Sequence, residues 1–286
     1  MDTLQWLISI DQNYILAGLI VLFYSLETIL NTPFKYDKRH RHLLQNILFQ
    51  IPFFIANYFW AFLLVFVVNR LNENQVGLLH FLNVPYWSKL IIGVAMFDMV
   101  TYWFHRIAHK TPLLWRLHRV HHSDTKMDST TFFRGHPLEI LVFGTGNILA
   151  AAIFGMDFMA LGLYYFIFLF AVYLEHANFE FPHWVDRTFG LIFVTPNFHK
   201  VHHEQDQHYT DSNFSDLFII WDRVFGTYKY RPVKEIKYGL KEFDEDRKQT
   251  FWYLFRSPFI NIHRTTSEEL VNEKSNSDIT GSDQIQ

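Results

Sequence analysis

The chain of 286 residues contains no cysteine, so disulfides, thiol nucleophiles and thiolate-held zinc or iron–sulfur centres are excluded. Charge is also scarce. Asp, Glu, Lys and Arg make up 19% of the residues, against about a quarter in soluble domains. The balance of 25 Lys and Arg against 28 Asp and Glu leaves no basic field for nucleic acid. With 12 Gly and 9 Pro, collagen-like and low-complexity classes drop out. Hydrophobic residues form 50% of the chain and aromatic ones 19%, which excludes a disordered protein. What stands in excess is histidine: sixteen, most of them crowded into short segments between apolar runs.

A helix crosses a bilayer with about 20 apolar residues. Five segments are predicted to do so: 13–30, weakened by Glu27; 47–68, which carries no charge; 89–104, with Asp98 inside it; and 138–155 and 158–175. The last two are separated by Gly155, Met156 and Asp157 and form a tight hairpin, either spanning or re-entrant. Residues 1–12 hold two Asp and no Lys or Arg, unlike a cleaved signal peptide. Lys35, Lys38, Arg39 and Arg41 place the loop 31–46 in the cytoplasm by the positive-inside rule. Counting spans from there, every dense histidine segment falls on that same face, together with Arg106, Arg116, Arg119 and Arg134.

The expected fold class is therefore all-α: a polytopic membrane protein with about four or five transmembrane helices beneath a cytoplasmic, histidine-rich catalytic cap. Residues 1–88 form its N-terminal transmembrane region and 89–232 its histidine-bearing domain. Residues 233–264 form an interfacial segment, in which 246–256 (DRKQTFWYLFR) reads as a short amphipathic helix. The polar stretch 265–286 has no apolar periodicity and is expected to be disordered.

Three boxes carry the chemistry. Residues 105–109 read HRIAH, and on a helix His105 and His109 share a face. Residues 118–122 read HRVHH, with His121 and His122 one turn beyond His118; HKVHH at 199–203 repeats that spacing with His199, His202 and His203. Neutral imidazole is a ligand for iron, copper, zinc and nickel. Eight imidazoles exceed what one ion accepts, so two metal ions are the natural stoichiometry. Cationic imidazoles clustered this way would repel, whereas metal holds them neutral. A zinc hydrolase is one alternative, but its H-E-x-x-H helix needs a Glu beside the first His, and here Arg106, Arg119 and Lys200 occupy that place. A metal transporter is another, though its ligands should lie at mid-membrane depth. A non-catalytic scaffold is a third, against which the intact boxes argue.

The stretch from Asp98 to Tyr228 resembles the fatty acid hydroxylase and sterol desaturase superfamily of membrane-bound histidine-box di-iron enzymes. The resemblance rests on D-x3-YW-x-H-R-x2-H at 98–109, LW-x2-H-x2-HHS at 114–123 and R-x-HP-x-E at 134–139. It continues through H-A-N at 176–178, TPNFHKVHH at 195–203, D-S-N-F at 211–214 and WDRVFGTY at 221–228. Ser215 departs from it, standing where the superfamily usually has Gly. The resemblance implies that His105, His109, His118, His121, His122, His199, His202 and His203 ligate two irons, with His136 and His176 as further ligands. It implies O2 as co-substrate and hydroxylation or desaturation of a lipid C–H bond. Sterol, fatty acyl, ether lipid and carotenoid substrates all fit. With no haem or flavin module visible, electrons come from a separate donor: a cytochrome b5-like or ferredoxin-like protein, or a reduced pterin.

Asp98 lies seven residues before His105 on the same helix face. A charge within a span costs about 2.5–3.5 kcal/mol at its centre, so Asp98 is expected to serve the site as acceptor for a ligating imidazole N–H. The remaining histidines are read as peripheral: His40 and His42 in the basic loop, His80 across the bilayer, and His208 and His263 at the surface. His183, seven residues after His176, is open either to the cluster or to solvent, and Pro182 before it favours a turn facing solvent.

Overall fold

The computed structural model describes residues 12–30, 32, 33 and 38–273. Its α-helices are α1 (Gln12–Ile29), α2 (Arg39–Leu48), α3 (Gln50–Glu73), α4 (Tyr86–Lys110), α5 (Pro112–His122), α6 (Ile140–Phe154) and α7 (Phe158–His176). Shorter ones follow: α8 (His183–Arg187), α9 (Pro196–His202), α10 (Gln207–Thr210), α11 (Ile220–Val224) and α12 (Phe251–Arg256). Among the described residues, four segments are long and apolar enough to cross a bilayer: Arg39–Phe81, Tyr86–Lys110, Pro137–Phe154 and Phe158–His176. The described apolar part of α1, Tyr14–Ile29, is shorter. The chain is an all-α, multi-pass membrane protein.

The bundle forms as α4 packs against α6 and α7, while α3 lies on α6 and α1 on α7. Val94 and Phe97 from α4 meet Ala150 and Phe154 from α6 and Leu161 and Tyr164 from α7 in the main core. Helix α3 leaves Phe54, Tyr58, Phe59 and Phe62 exposed, a face suited to acyl chains. At the hairpin between α6 and α7, Gly155 closes α6 in the left-handed region, at φ 67°, and Asp157 caps α7 by accepting from the Ala160 N–H at 2.8 Å. Gly77 meets this hairpin backbone to backbone; a Cβ on it would stand 2.2 Å from the Gly155 Cα. His80 packs against the same turn, at the opposite end of α6 from Glu139. The histidine boxes gather at the Glu139 end.

Three sequence expectations change here. Arg39 to Leu48 are helical rather than loop, and Arg39 pairs with Glu27. Glu27 also accepts from the backbone of Ser129 at 2.9 Å and of Asn178 at 2.8 Å. That explains a charge near the end of an apolar helix: it docks α1 onto the cap. The 246–256 segment is not one amphipathic helix but a 3-10 turn, Asp246–Gln249, followed by α12. Its Leu254 is buried with Phe49, Trp115, Val120 and Phe243, so it closes over the cap. Residues 267–273 are helical, although their composition predicts disorder; 274–286, like Lys35 of the basic loop, lie outside the described residues.

Candidate metal centre

Helix α4 does not stop at Phe104 but continues to Lys110, and so holds His105 and His109 one turn apart on a rigid span end. Pro112 and Pro196 occupy the first turns of α5 and α9, where a missing N–H costs nothing. They start the two helices that carry the other boxes. His176 is the last residue of α7. These ends meet in two buried groups: His105, His109, His118, His122 and His202, and beside it His121, His176, His199 and His203.

In the first group the Nε2 atoms converge. His105 lies 3.0 Å from both His118 and His202, and His122 lies 3.1 Å from His109 and 3.2 Å from His118. The opposite ring atoms are committed outward. His105 Nδ1 donates to the Phe214 carbonyl at 2.8 Å and His202 Nδ1 to that of Ser212 at 2.7 Å. His109 Nδ1 faces Asp211 Oδ1 at 3.2 Å and His118 Nδ1 faces Glu139 Oε2 at 3.3 Å. A neutral imidazole that donates from Nδ1 presents a lone pair at Nε2. Two such lone pairs 3.0 Å apart cannot hydrogen-bond each other; they repel unless a cation sits between them. In the second group His176 Nε2 lies 3.1 Å from His121 and 3.0 Å from His199, and both ring nitrogens of His203 are buried without a partner. The donor set fits metal ions.

Nine of the ten histidines expected as ligands are thus brought together, and His136 is not. Its Nδ1 accepts from the Leu138 N–H at 3.3 Å and its Nε2 meets the Phe255 carbonyl at 3.2 Å, which leaves no lone pair for a metal. It acts instead as the N-cap of Pro137–Glu139, and its own N–H donates to Glu139 Oε1 at 3.0 Å. Through Glu139 it touches the site only indirectly.

Asp98 also has a different task from the one expected. Its carboxylate accepts from the Leu217 N–H, the Phe218 N–H and Trp221 Nε1, each at 3.0 Å, and no imidazole is among these bonds. It anchors the loop that presents the Ser212 and Phe214 carbonyls to His202 and His105. Asp222 holds the same loop by accepting from the N–H groups of Phe214 and Ser215. The left-handed residue of this turn is Asn213, at φ 51°, so Ser215 fits where glycine was expected. The carboxylates that bond rings of the first group, Asp211 and Glu139, stand inside quoted motifs. Only the folded chain shows which ring each one meets.

Burial, reinforced by the neighbouring rings, pushes the imidazoles of His121, His122, His199, His202 and His203 well below their ordinary value; burial takes His118 to about 3. The rings therefore stay neutral and able to ligate at physiological pH. Lys200, lowered by burial to about 7, donates to the Ala177 carbonyl at 2.7 Å.

Behind the boxes, His42 is not a surface residue. It is buried against Asp124, at 2.8 Å, and Asp128, at 3.4 Å. Arg134 reaches Asp124 at 3.4 Å and Asn46 at 2.8 Å. Although burial opposes it, Arg134 and His42 hold Asp124 below the usual carboxylate range. This network pins α2 to the segment after His122. His183 Nδ1 bonds the Tyr230 hydroxyl at 3.0 Å and His263 pairs with Glu269 at 3.1 Å; both lie outside the two groups, as does His208. A cavity of about 610 Å³ lies between the site-bearing helices, lined by Phe104, Ile107, Leu117, Leu138, Leu141 and Val142, with Arg116 among its walls.

Comparison with known proteins follows the same residues. The human alkylglycerol monooxygenase is 31% identical over 54% of this chain and 33% of its own length. Methylsterol monooxygenase 2-2 of Arabidopsis thaliana is 29% identical over 79% of this chain and 86% of its own. A very-long-chain aldehyde decarbonylase of Oryza sativa subsp. indica is 29% identical over 75% and 77%. The chain thus spans about a third of the length of the alkylglycerol monooxygenase that it matches. No solved structure matches it. Residues 90–227, which hold every histidine of both groups, match the fatty acid hydroxylase family.

Proposed function

We propose that this protein is an O2-dependent oxidoreductase of the membrane that binds two iron ions and hydroxylates or desaturates a lipid C–H bond. The observation that carries the reading is the convergence of buried imidazole Nε2 atoms at 3.0–3.2 Å while the Nδ1 atoms of His105, His109, His118 and His202 are turned to acceptors. His105, His109, His118, His122 and His202 hold one ion, and His121, His176, His199 and His203 the other. Bound iron supplies the reduction of O2 and the oxidation of an otherwise inert C–H bond. The protein's own part is positioning. The Phe214 and Ser212 carbonyls, Asp211 and Glu139 fix tautomer and ring orientation. Burial of all nine rings keeps bulk water out. The apolar cavity beside α4, α5 and α6 offers room for a lipid chain at the membrane-facing side. The cap lies on the cytoplasmic face, where a separate protein or a reduced pterin delivers electrons.

Metal and O2 test this reading. Protein purified anaerobically in detergent is expected to carry about two irons per chain, and to consume O2 when supplied with reductant and the membrane lipids that it acts on. Stoichiometric zinc supporting turnover without O2 would overturn it. Accessibility labelling should find His122 and His203 on one face, opposite to a reporter placed after Val68.

A further inference from the structure

The two histidine groups are not supported equally. In the first, four of the five rings have an outward acceptor at 2.7–3.3 Å, namely a carbonyl for His105 and His202 and a carboxylate for His109 and His118. In the second, only His176 has its Nδ1 bonded, to the Val172 carbonyl of its own helix at 2.8 Å. The Nδ1 atoms of His199 and His203 are buried and have no hydrogen-bond partner. Beside His199 is a carboxylate in the same condition. Glu175 is 2% exposed, and neither of its oxygens has a hydrogen-bond partner. Its Oε2 lies 3.9 Å from His199 Nδ1, less than 1 Å beyond bonding reach.

An unsatisfied buried carboxylate costs several kcal/mol, as does an unsatisfied ring N–H to a lesser degree. One small adjustment removes both costs. Glu175 stands next to His176 in α7, and α7 packs against α9, which carries His199. We propose that Glu175 is the positioning residue of the second metal site: its carboxylate accepts the His199 Nδ1–H once an ion draws the His199 Nε2 into place. The second site then has one carboxylate and one carbonyl behind its rings, where the first has two carboxylates and two carbonyls, and it holds the more readily exchanged ion. This inference rests on the reading that both groups bind metal.

The test follows metal release rather than turnover. Detergent-purified, metal-loaded protein is mixed with excess EDTA, and the retained metal is measured over time for wild type, Glu175→Gln, Glu175→Ala and Glu139→Gln. Wild type should release its two ions in two phases. Glu175→Gln should speed the fast phase alone, about 10-fold or more, as loss of a ligand's hydrogen-bonding partner does, and Glu175→Ala more so. Glu139→Gln should speed the slow phase alone, and melting temperatures should separate this effect from unfolding. If Glu175→Ala fails to fold, the near-isosteric Glu175→Gln decides. Unchanged release in folded Glu175→Gln, or equal acceleration of both phases, overturns the proposal and leaves the metal-centre reading intact. Wild type without stoichiometric metal would overturn that reading itself, and this proposal with it.

Discussion

The Nε2 atoms of His105 and His202 lie 3.0 Å apart although 97 positions separate the two residues in sequence. Each ring gives its other nitrogen to a carbonyl of one short loop, Phe214 for His105 and Ser212 for His202. One loop therefore sets the tautomer of two rings from different helices. This makes the 211–222 segment as much a part of the centre as the boxes.

Removing a ring from the converging set and removing His136 should have opposite signatures. His122 lies within 3.2 Å of the Nε2 atoms of both His109 and His118. His122→Ala is expected to lose the ion of the first group. His136→Ala should retain both ions and lower stability by about 1 kcal/mol, the usual cost of a lost N-cap. Elemental analysis combined with thermal melting of both variants decides the matter.

Asp98→Asn tests the loop anchor. The carboxylate accepts three hydrogen bonds on its two oxygens, whereas an amide would turn a donor towards N–H groups. Bonds to a charged group are each worth about 1.5–3 kcal/mol, so a loss of about 3 kcal/mol is expected. Melting should fall by several degrees. Metal retention should weaken as the backing of His105 and His202 loosens. A variant that melts like wild type would show that the loop holds without Asp98.

The metal-free protein should be sensitive to acid. His118 titrates at about 3 in the folded chain against an ordinary 6.5, and His121, His122, His199, His202 and His203 are lowered too. Between those values the unfolded chain binds more protons than the folded one, so stability falls as pH drops below 6.5. Melting of the metal-free form should be flat above pH 7 and fall steeply from pH 6.5 towards pH 4. Bound metal should blunt the fall, because ligation competes with protons for the same lone pairs.

Gly77→Ala probes the far end of the bundle. Gly77 has φ 120°, and a Cβ there would meet the Gly155 Cα at 2.2 Å. Strain of that kind costs about 1–3 kcal/mol before the clash is counted. The yield of folded protein should drop. The fraction that folds should carry the wild-type metal content, since the hairpin lies at the opposite end of α6 from the histidines.

Residue type and spacing alone determined much of this protein. Uninterrupted apolar runs can only be buried or face lipid, so the spans were legible. Imidazoles three and four residues apart on a helix must share a face, so the boxes were legible as well. Which ring faces which acceptor was not, because those partners are distant in the chain. Glu139 meets His118 from 21 positions away and Asp211 meets His109 from 102, and no local pattern encodes such pairings. Tertiary structure also decided between chemically equivalent candidates. His136 and His176 both adjoin a span, yet the turn at Pro137 uses up the lone pair of His136 in a cap. The last turn of α7 instead aims His176 at His121 and His199. Asp98 was correctly singled out as an expensive buried charge. Its partners are backbone N–H groups of a loop more than a hundred residues away, which only the folded chain brings to it.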